Sequence, residues 1–174
     1  PPSTAPSSTP LNDFFTSYSE FSYNPRRSAT DEFYRMCDQF GWDSKDPPPD
    51  REDAHDEFRI ALVQQFNESF GTDVDSLVSW QVLCEALGLK NIPATIRECR
   101  NIIDGVHVNL VDFVDGREGG TGRRPRIFDT ETELSKYTRK TGKYFPRDEA
   151  YAGGLLRYLL RHIFSPSDSR GSNY

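Results

Sequence analysis

The stretch 47–71, PPPDREDAHDEFRIALVQQFNESFG, decides the fold class, because it predicts the longest helix of the acidic first half. Its prolines are followed by an acidic turn at 50–53, which suits the positive end of a helix. The apolar residues that follow share one helical face: Ala54, Phe58, Ala61, Leu62, Phe66 and Phe70. Gly71 is a typical helix stop. One face is therefore expected to pack on a core.

Three neighbouring stretches show the same apolar spacing and the same glycine stops. In 28–41 the arrangement of Ser28 and Asp31 predicts a capped start and Gly41 the end. The stretch 75–88, DSLVSWQVLCEALG, repeats the pattern, and a further helix is expected from near Pro93 to Gly105. Together these stretches predict an all-α fold.

The segment 106–115, VHVNLVDFVD, allows two interpretations. VHV alternates as a strand does, whereas Val108, Val111 and Val114 recur with helical spacing. The helix is the preferred interpretation, and the strand remains the alternative. The next stretch, DGREGGTGRRPR at 115–126, is a loop by composition because its glycines disfavour a regular element.

The segment 136–147, KYTRKTGKYFPR, is predicted to be a turn between two helices. Thr130 and Glu133 match a capping box for the first helix, which should end near Gly142. Pro146 is expected in the first turn of the last helix. The TGK at 141–143 lacks the spacing of a phosphate-binding loop, so no nucleotide site is predicted. The last helix should bury one apolar arc: Ala152, Leu155, Leu156, Leu159, Leu160 and Ile163.

The chain of 174 residues fits one domain. Its first ten residues and its last ten are rich in Pro or Ser and have no apolar period. We therefore expect a flexible flank at 1–10, a compact bundle of about seven helices at 11–164, and a flexible tail at 165–174.

Charge is distributed unevenly along the chain. The formal net charge is −6, which argues against a general nucleic-acid coat protein. Residues 1–100 carry nine Lys and Arg against seventeen Asp and Glu, whereas residues 101–174 carry twelve against ten. Basic character is therefore local and lies in the second half.

The residues that usually carry chemistry form no recognisable constellation. The three cysteines, an odd number without paired spacing, are expected to be buried thiols in a reducing compartment. No histidine has a second ligand at helical spacing, so no metal or other cofactor is predicted. A general-base role for His107 with Asp112 is a weaker alternative to a loop histidine. No membrane span is expected, since no apolar run approaches about 20 residues.

Cations and rings of the last two helices form the candidate binding face. On the last helix, arginines and tyrosines lie opposite the apolar arc, and lysines precede it in the turn. The predicted binding residues are Lys140, Lys143, Arg147, Tyr151, Arg157, Tyr158 and Arg161. A solvated flank is the simpler interpretation, and a surface for an acidic partner or a phosphate backbone is the functional one. The aromatic run at 14–25 is expected to pack over the core, with partner docking as its alternative.

These observations favour a non-enzymatic protein-interaction module of a larger intracellular protein, in the cytoplasm or nucleus, that meets an acidic protein surface. The alternative is nucleic-acid binding through a helix-turn-helix-like segment at 130–163. An enzyme ranks third, because no catalytic group is apparent.

Several blocks of the chain resemble a family of predicted helical domains of filamentous fungi that has no assigned activity. These blocks are ALVQQFNESFGTD, WQVLCEALG, HVNLVDFVD, YTRKTGKYFP and GGLLRYLLRHIF. The resemblance implies a compact, mainly helical module embedded in a larger polypeptide, and it assigns no catalytic residue.

Overall fold

The computed structural model describes residues 8–117, 119–147 and 152–162, the last two of these as backbone alone. The described part is mainly helical, so the all-α prediction is confirmed. Its elements are, in chain order, α1 (Pro10–Thr16), α2 (Ala29–Phe40), α3 (Pro49–Phe70), α4 (Leu77–Ala86), α5 (Ile96–Asp104), β1 (His107–Val108), α6 (Leu110–Asp115), β2 (Ile127–Phe128), α7 (Glu131–Thr141) and α8 (Gly154–His162).

Helix α3 is the central helix of the fold. Its 22 residues extend about 33 Å at 1.5 Å per residue. Helices α1, α4 and α6 pack against it. The predicted face is buried, and so is Gln65, whose Oε1 accepts a 3.4 Å hydrogen bond from the backbone N–H of Leu11 in α1. The buried side-chain amide of Gln65 therefore joins α1 to α3.

Most helices begin or end near the capping residues and glycines that were predicted. Gly41 and Gly142 end α2 and α7 with φ of +69° and +68°, in the left-handed region that glycine adopts without strain. Thr130 caps α7 by accepting from the N–H of Glu133 at 3.2 Å. Lys143 therefore follows a helix end, and TGK is part of a turn, as predicted.

One predicted helix start is confirmed without its predicted cap, and another is wrong. Ser28 is the N-cap residue of α2, as predicted, but its hydroxyl makes no capping hydrogen bond; a carboxylate from α6 accepts from the first amide of the helix. Helix α5 begins at Ile96, not near Pro93, because the side chain of Thr95 accepts from the N–H of Glu98 and so fixes the first turn.

The segment 106–115 contains both a strand and a helix, so the preference for helix alone is corrected. His107 pairs antiparallel with Phe128 in the short β1–β2 ladder. The side chain of Asn109 then accepts from the N–H groups of Val111 and Asp112, at 2.9 and 3.3 Å, and starts α6. Asn109 therefore separates the strand from the helix, because β1 ends at Val108 and α6 begins at Leu110.

The aromatic run at 14–25 packs over the core, as predicted. Phe14, Phe15 and Phe21 are buried, and α1 supplies the first two. Nearby, the rings of Phe33 and Phe58 stack with centroids 4.8 Å apart and join α2 to α3. This cluster is part of a continuous apolar core.

The start of α8 is set by the segment that follows α3. Pro146 is buried in the irregular stretch 143–147 and does not open α8, which corrects the prediction. Instead the N–H of Leu155 donates to the carbonyl of Thr72 at 2.9 Å. At Gly153 a Cβ would lie 2.5 Å from that of Thr72, so this approach needs a glycine.

The apolar arc of α8 is buried in its described part, which contains Leu155, Leu156, Leu159 and Leu160. Ile163 and the tail at 165–174 lie outside the described residues, as does most of the flank at 1–10. In the described part of that flank, Thr9 caps α1 and Pro10 is its first residue. Within the described residues, no helix has both the length and the apolar character needed to cross a membrane.

Candidate functional site

Two groups of arginines that are remote in sequence line one cavity of about 420 Å³. Arg26 and Arg27 precede α2, while Arg123, Arg124 and Arg126 precede β2. All five are exposed. The cavity with these five residues is called the arginine cleft below. Its other charged lining residues are Asp31, Asp112, Asp115 and Lys143.

The first arginine group is held by a turn and by a buried carboxylate. Asn24 Oδ1 accepts from the N–H of Arg26 at 3.0 Å. Arg27 lies 3.6 Å from a carboxylate oxygen of Glu32, which has a fully buried side chain and also binds Arg35 at 2.7 Å. The Arg26 side chain makes no ion pair within the described residues.

The second arginine group is anchored to the end of α6. Thr121 donates its N–H and its hydroxyl to the carbonyl of Asp115, at 2.8 and 3.0 Å, and accepts from the N–H of Arg123 at 3.3 Å. At Gly116 a Cβ would lie 2.4 Å from the carbonyl oxygen of Arg123. The glycine therefore lets this loop press directly on the helix end.

The arginines of the second group differ in how they are held. The guanidinium carbon of Arg126 lies 4.7 Å from the ring centroid of Phe128. The Arg124 side chain lies over Gly88, where a Cβ would be only 2.9 Å from its guanidinium. The side chain of Arg123 makes no ion pair or ring contact among the described residues.

Asp112, Tyr137 and Lys143 form a closed triangle of hydrogen bonds at the cleft. Lys143 Nζ donates to Asp112 Oδ1 at 2.8 Å and to the Tyr137 hydroxyl at 3.0 Å, and that hydroxyl donates to Asp112 Oδ2 at 2.7 Å. Burial lowers the pKa of Lys143, but these partners outweigh burial and raise the pKa above its ordinary value. Burial also raises the pKa of Tyr137. Both groups stay protonated at neutral pH, which makes them poor general bases.

Asp115 is the most deeply buried acid of the cleft, at 4% exposure. Its Oδ1 accepts from the N–H of Ala29 at 3.0 Å, whereas Oδ2 has no hydrogen-bond partner of good geometry within the described residues. Burial raises the pKa of Asp115 to about 6, although the Ala29 amide and the nearby Ser28 hydroxyl favour the ionised form.

The cleft is a positive region of an acidic protein. Lys143 and Asp112 neutralise each other, and Arg27 is paired with Glu32, which leaves four arginines of the lining against the carboxylates of Asp31 and Asp115. Because low-dielectric walls focus the field of like charges, such a cavity attracts anions despite the net charge of −6.

The residues predicted for one basic face contact different parts of the fold. Lys140 and Arg147 are exposed, whereas Lys143 is engaged by Asp112. The Tyr158 hydroxyl donates to the carboxylate of Asp104, 2.9 Å from Oδ2. The ring of Tyr158 also packs edge-on against Trp80. Lys143 therefore contacts α6 and α7, and Tyr158 contacts α4 and α5.

The other predicted binding residues are less informative. Arg157 is exposed on α8. Tyr151 and the side chain of Arg161 lie outside the described residues.

The arginine cleft was not predicted from the sequence. The pattern that could have indicated it is a pair of arginine dipeptides in loops, in NPRRS at 24–28 and in TGRRPR at 121–126. The second lies in the stretch 115–126 that is predicted to be a loop, and neither dipeptide carries a predicted function. Only the tertiary fold brings them to one cavity.

Other chemistry is limited in the described part of the chain. His107 lies in β1, and Asp112, its predicted companion, binds Tyr137 and Lys143. No cluster of His, Cys, Asp and Glu among the described residues could hold a metal. Cys37, Cys84 and Cys99 are buried free thiols, and burial raises the pKa of Cys84 to about 12.

A second cavity, of about 660 Å³, also has Arg123 and Arg124 in its lining. Its wall mixes apolar residues, such as Phe70 and Phe113, with acids such as Glu68. The arginine cleft has the more uniform charge and is therefore the better candidate for binding.

Comparison of the chain with protein-family models, with curated proteins and with solved structures finds no match.

Proposed function

We propose that this domain is a non-enzymatic protein-interaction module that binds an acidic segment of a partner protein in the arginine cleft. The observation that carries the proposal is that five arginines from two remote parts of the chain line one open cavity, with Arg26 and Arg123 making no ion pair among the described residues. This site replaces the last helix as the expected contact surface.

An acidic protein segment suits the cleft better than other anions. Guanidinium groups bind carboxylates with two parallel hydrogen bonds, and arginine is enriched at protein interfaces. The acidic remainder of the domain repels a long uniform polyanion but leaves a short acidic segment room to enter. An intracellular setting, where thiols stay reduced, accords with three free buried cysteines.

Nucleic-acid binding is the second candidate, because the same guanidinium groups could contact phosphates. The segment 130–163 offers little support for a helix-turn-helix reader. Twelve residues separate the end of α7 from the start of α8, whereas such motifs join their helices by a turn of about three or four.

A binding measurement with two charge-matched double variants tests the proposal. A fluorescent oligoglutamate peptide and a fluorescent duplex DNA are titrated with the domain at several salt concentrations. We expect peptide binding that Arg26→Glu with Arg123→Glu abolishes. Lys90→Glu with Arg97→Glu changes the net charge equally at exposed positions outside the cleft lining and should bind as the parent does.

Two results would count against the proposal. If the peptide does not bind the parent domain, the acidic-segment proposal is wrong. If duplex DNA binds more tightly than the peptide and only the cleft variant loses that binding, nucleic-acid recognition takes its place.

A further inference from the structure

We infer that the group recognised by the arginine cleft is a phosphate monoester, carried by a phosphorylated serine or threonine of the partner segment. The inference rests on the proposed function and names the chemistry of its ligand. It stands on two features: the number of arginines that line the cavity, and the freedom of two of them.

The number of cations exceeds what a single carboxylate can use. One guanidinium satisfies one carboxylate through two parallel hydrogen bonds. A phosphate monoester has three acceptor oxygens and a charge of about −1.5 to −2 at neutral pH, so it can bind several guanidinium groups at once. Arg26 and Arg27 come from one part of the chain and Arg123 from another, so the cavity can surround such a group.

The charges needed for binding are already available. The side chains of Arg26 and Arg123 have no ion pair in the described part of the fold, so a ligand need not break an existing contact with either. Arg27 is 3.6 Å from Glu32, a loose contact, since Arg35 holds that carboxylate at 2.7 Å. Lys143 is already neutralised by Asp112.

Three peptides of otherwise identical Gly- and Ala-rich sequence test the inference, with phosphoserine, glutamate or serine at one central position. Fluorescence anisotropy should show the phosphoserine peptide binding at least about ten-fold more tightly than the glutamate peptide, a difference of roughly 1.4 kcal/mol. Inorganic phosphate should displace it.

Variants place the binding in the cleft. Arg26→Glu with Arg123→Glu should abolish phosphopeptide binding, whereas Lys90→Glu with Arg97→Glu should retain it. Circular dichroism and thermal melting of both variants confirm folding. Should the double variant unfold, Arg123→Ala alone must still weaken binding, because the Arg123 side chain makes no ion pair or ring contact among the described residues.

The outcomes separate this inference from the proposed function. Equal affinity for the phosphoserine and glutamate peptides, lost in the cleft variant, would overturn the phosphate inference and leave the acidic-segment proposal standing. Failure of inorganic phosphate to displace the phosphoserine peptide would also overturn the phosphate inference. Failure of the phosphoserine, glutamate and oligoglutamate peptides to bind would overturn both proposals.

Discussion

The carboxylate of Asp115, the last residue of α6, accepts a 3.0 Å hydrogen bond from the backbone N–H of Ala29, the first residue of α2, across 86 positions of sequence. It supplies the cap that the side chain of Ser28 does not. One buried acid therefore starts one helix, ends another and lines the arginine cleft.

Replacing Asp115 by asparagine should remove a pH dependence of stability. Because its folded pKa is raised to about 6, the folded state holds a proton that the unfolded state releases near pH 4. The contribution of Asp115 to the free energy of unfolding is therefore fully present below about pH 4. It is lost as pH rises towards 6, by roughly 3 kcal/mol in total. Urea unfolding at several pH values should show this decline for the parent and not for Asp115→Asn.

The Asp115→Ala variant is the informative companion. It lacks any acceptor for the Ala29 amide, whereas asparagine keeps one. We expect Asp115→Ala to be the less stable of the two at pH 7, by about 1 kcal/mol for the lost cap. Parallel pH profiles for the parent and Asp115→Asn would contradict the assignment.

Replacing Glu32 by glutamine should destabilise the domain at neutral pH. Burial raises the pKa of this carboxyl, but hydrogen bonds from Arg35 and from the N–H of Asn24 outweigh burial, so the pKa is lowered. The contribution of Glu32 to the free energy of unfolding is therefore present above the ordinary pKa of glutamate and is lost as pH falls below that value. Weakening these charged hydrogen bonds should cost about 2 kcal/mol at pH 7. Asp38→Asn on the exposed face of α2 is the control and should be nearly neutral.

The glycines that end α5 and α6 offer a matched test of loop packing. Gly105 and Gly116 both have right-handed backbone angles, with φ of −92° and −72°. A Cβ at Gly105 meets nothing closer than 3.6 Å, whereas at Gly116 it would lie 2.4 Å from the Arg123 carbonyl. Thermal melting should therefore find Gly105→Ala neutral and Gly116→Ala destabilised by roughly 1–3 kcal/mol. Equal melting temperatures would show that the Arg123 carbonyl is not pressed on the end of α6.

The hydroxyl of Tyr137 should matter more than that of an exposed tyrosine. Tyr137→Phe removes one hydrogen bond to Asp112 and another from Lys143, so we expect a loss of about 1–2 kcal/mol in chemical unfolding. Tyr144, which is 60% exposed, provides the control, and Tyr144→Phe should be nearly neutral. A loss of similar size in both variants would indicate that the triangle adds no stability.

The helices were predictable because their signals are local. The apolar face of α3 and the left-handed glycines at 41 and 142 act within a few residues of chain, so spacing alone locates them. The start of α2 at Ser28 was predictable in the same way, but the carboxylate that accepts from its first amide was not, since Asp115 reaches it only in the tertiary fold. The arginine cleft was missed for the same reason: nothing local connects Arg26 with Arg123.

The surroundings of Trp80 make its intrinsic fluorescence a probe of the fold. Its ring is fully buried, its Nε1–H donates to the Val74 carbonyl at 2.7 Å, and Tyr158 lies edge-on with centroids 5.1 Å apart. Trp42 is only partly buried. Excitation should therefore produce two kinds of emission, a short-wavelength component from a ring that water does not reach and a longer-wavelength one from a ring that it does. Undocking of α8 from α4 would shift the first component without any label on the protein.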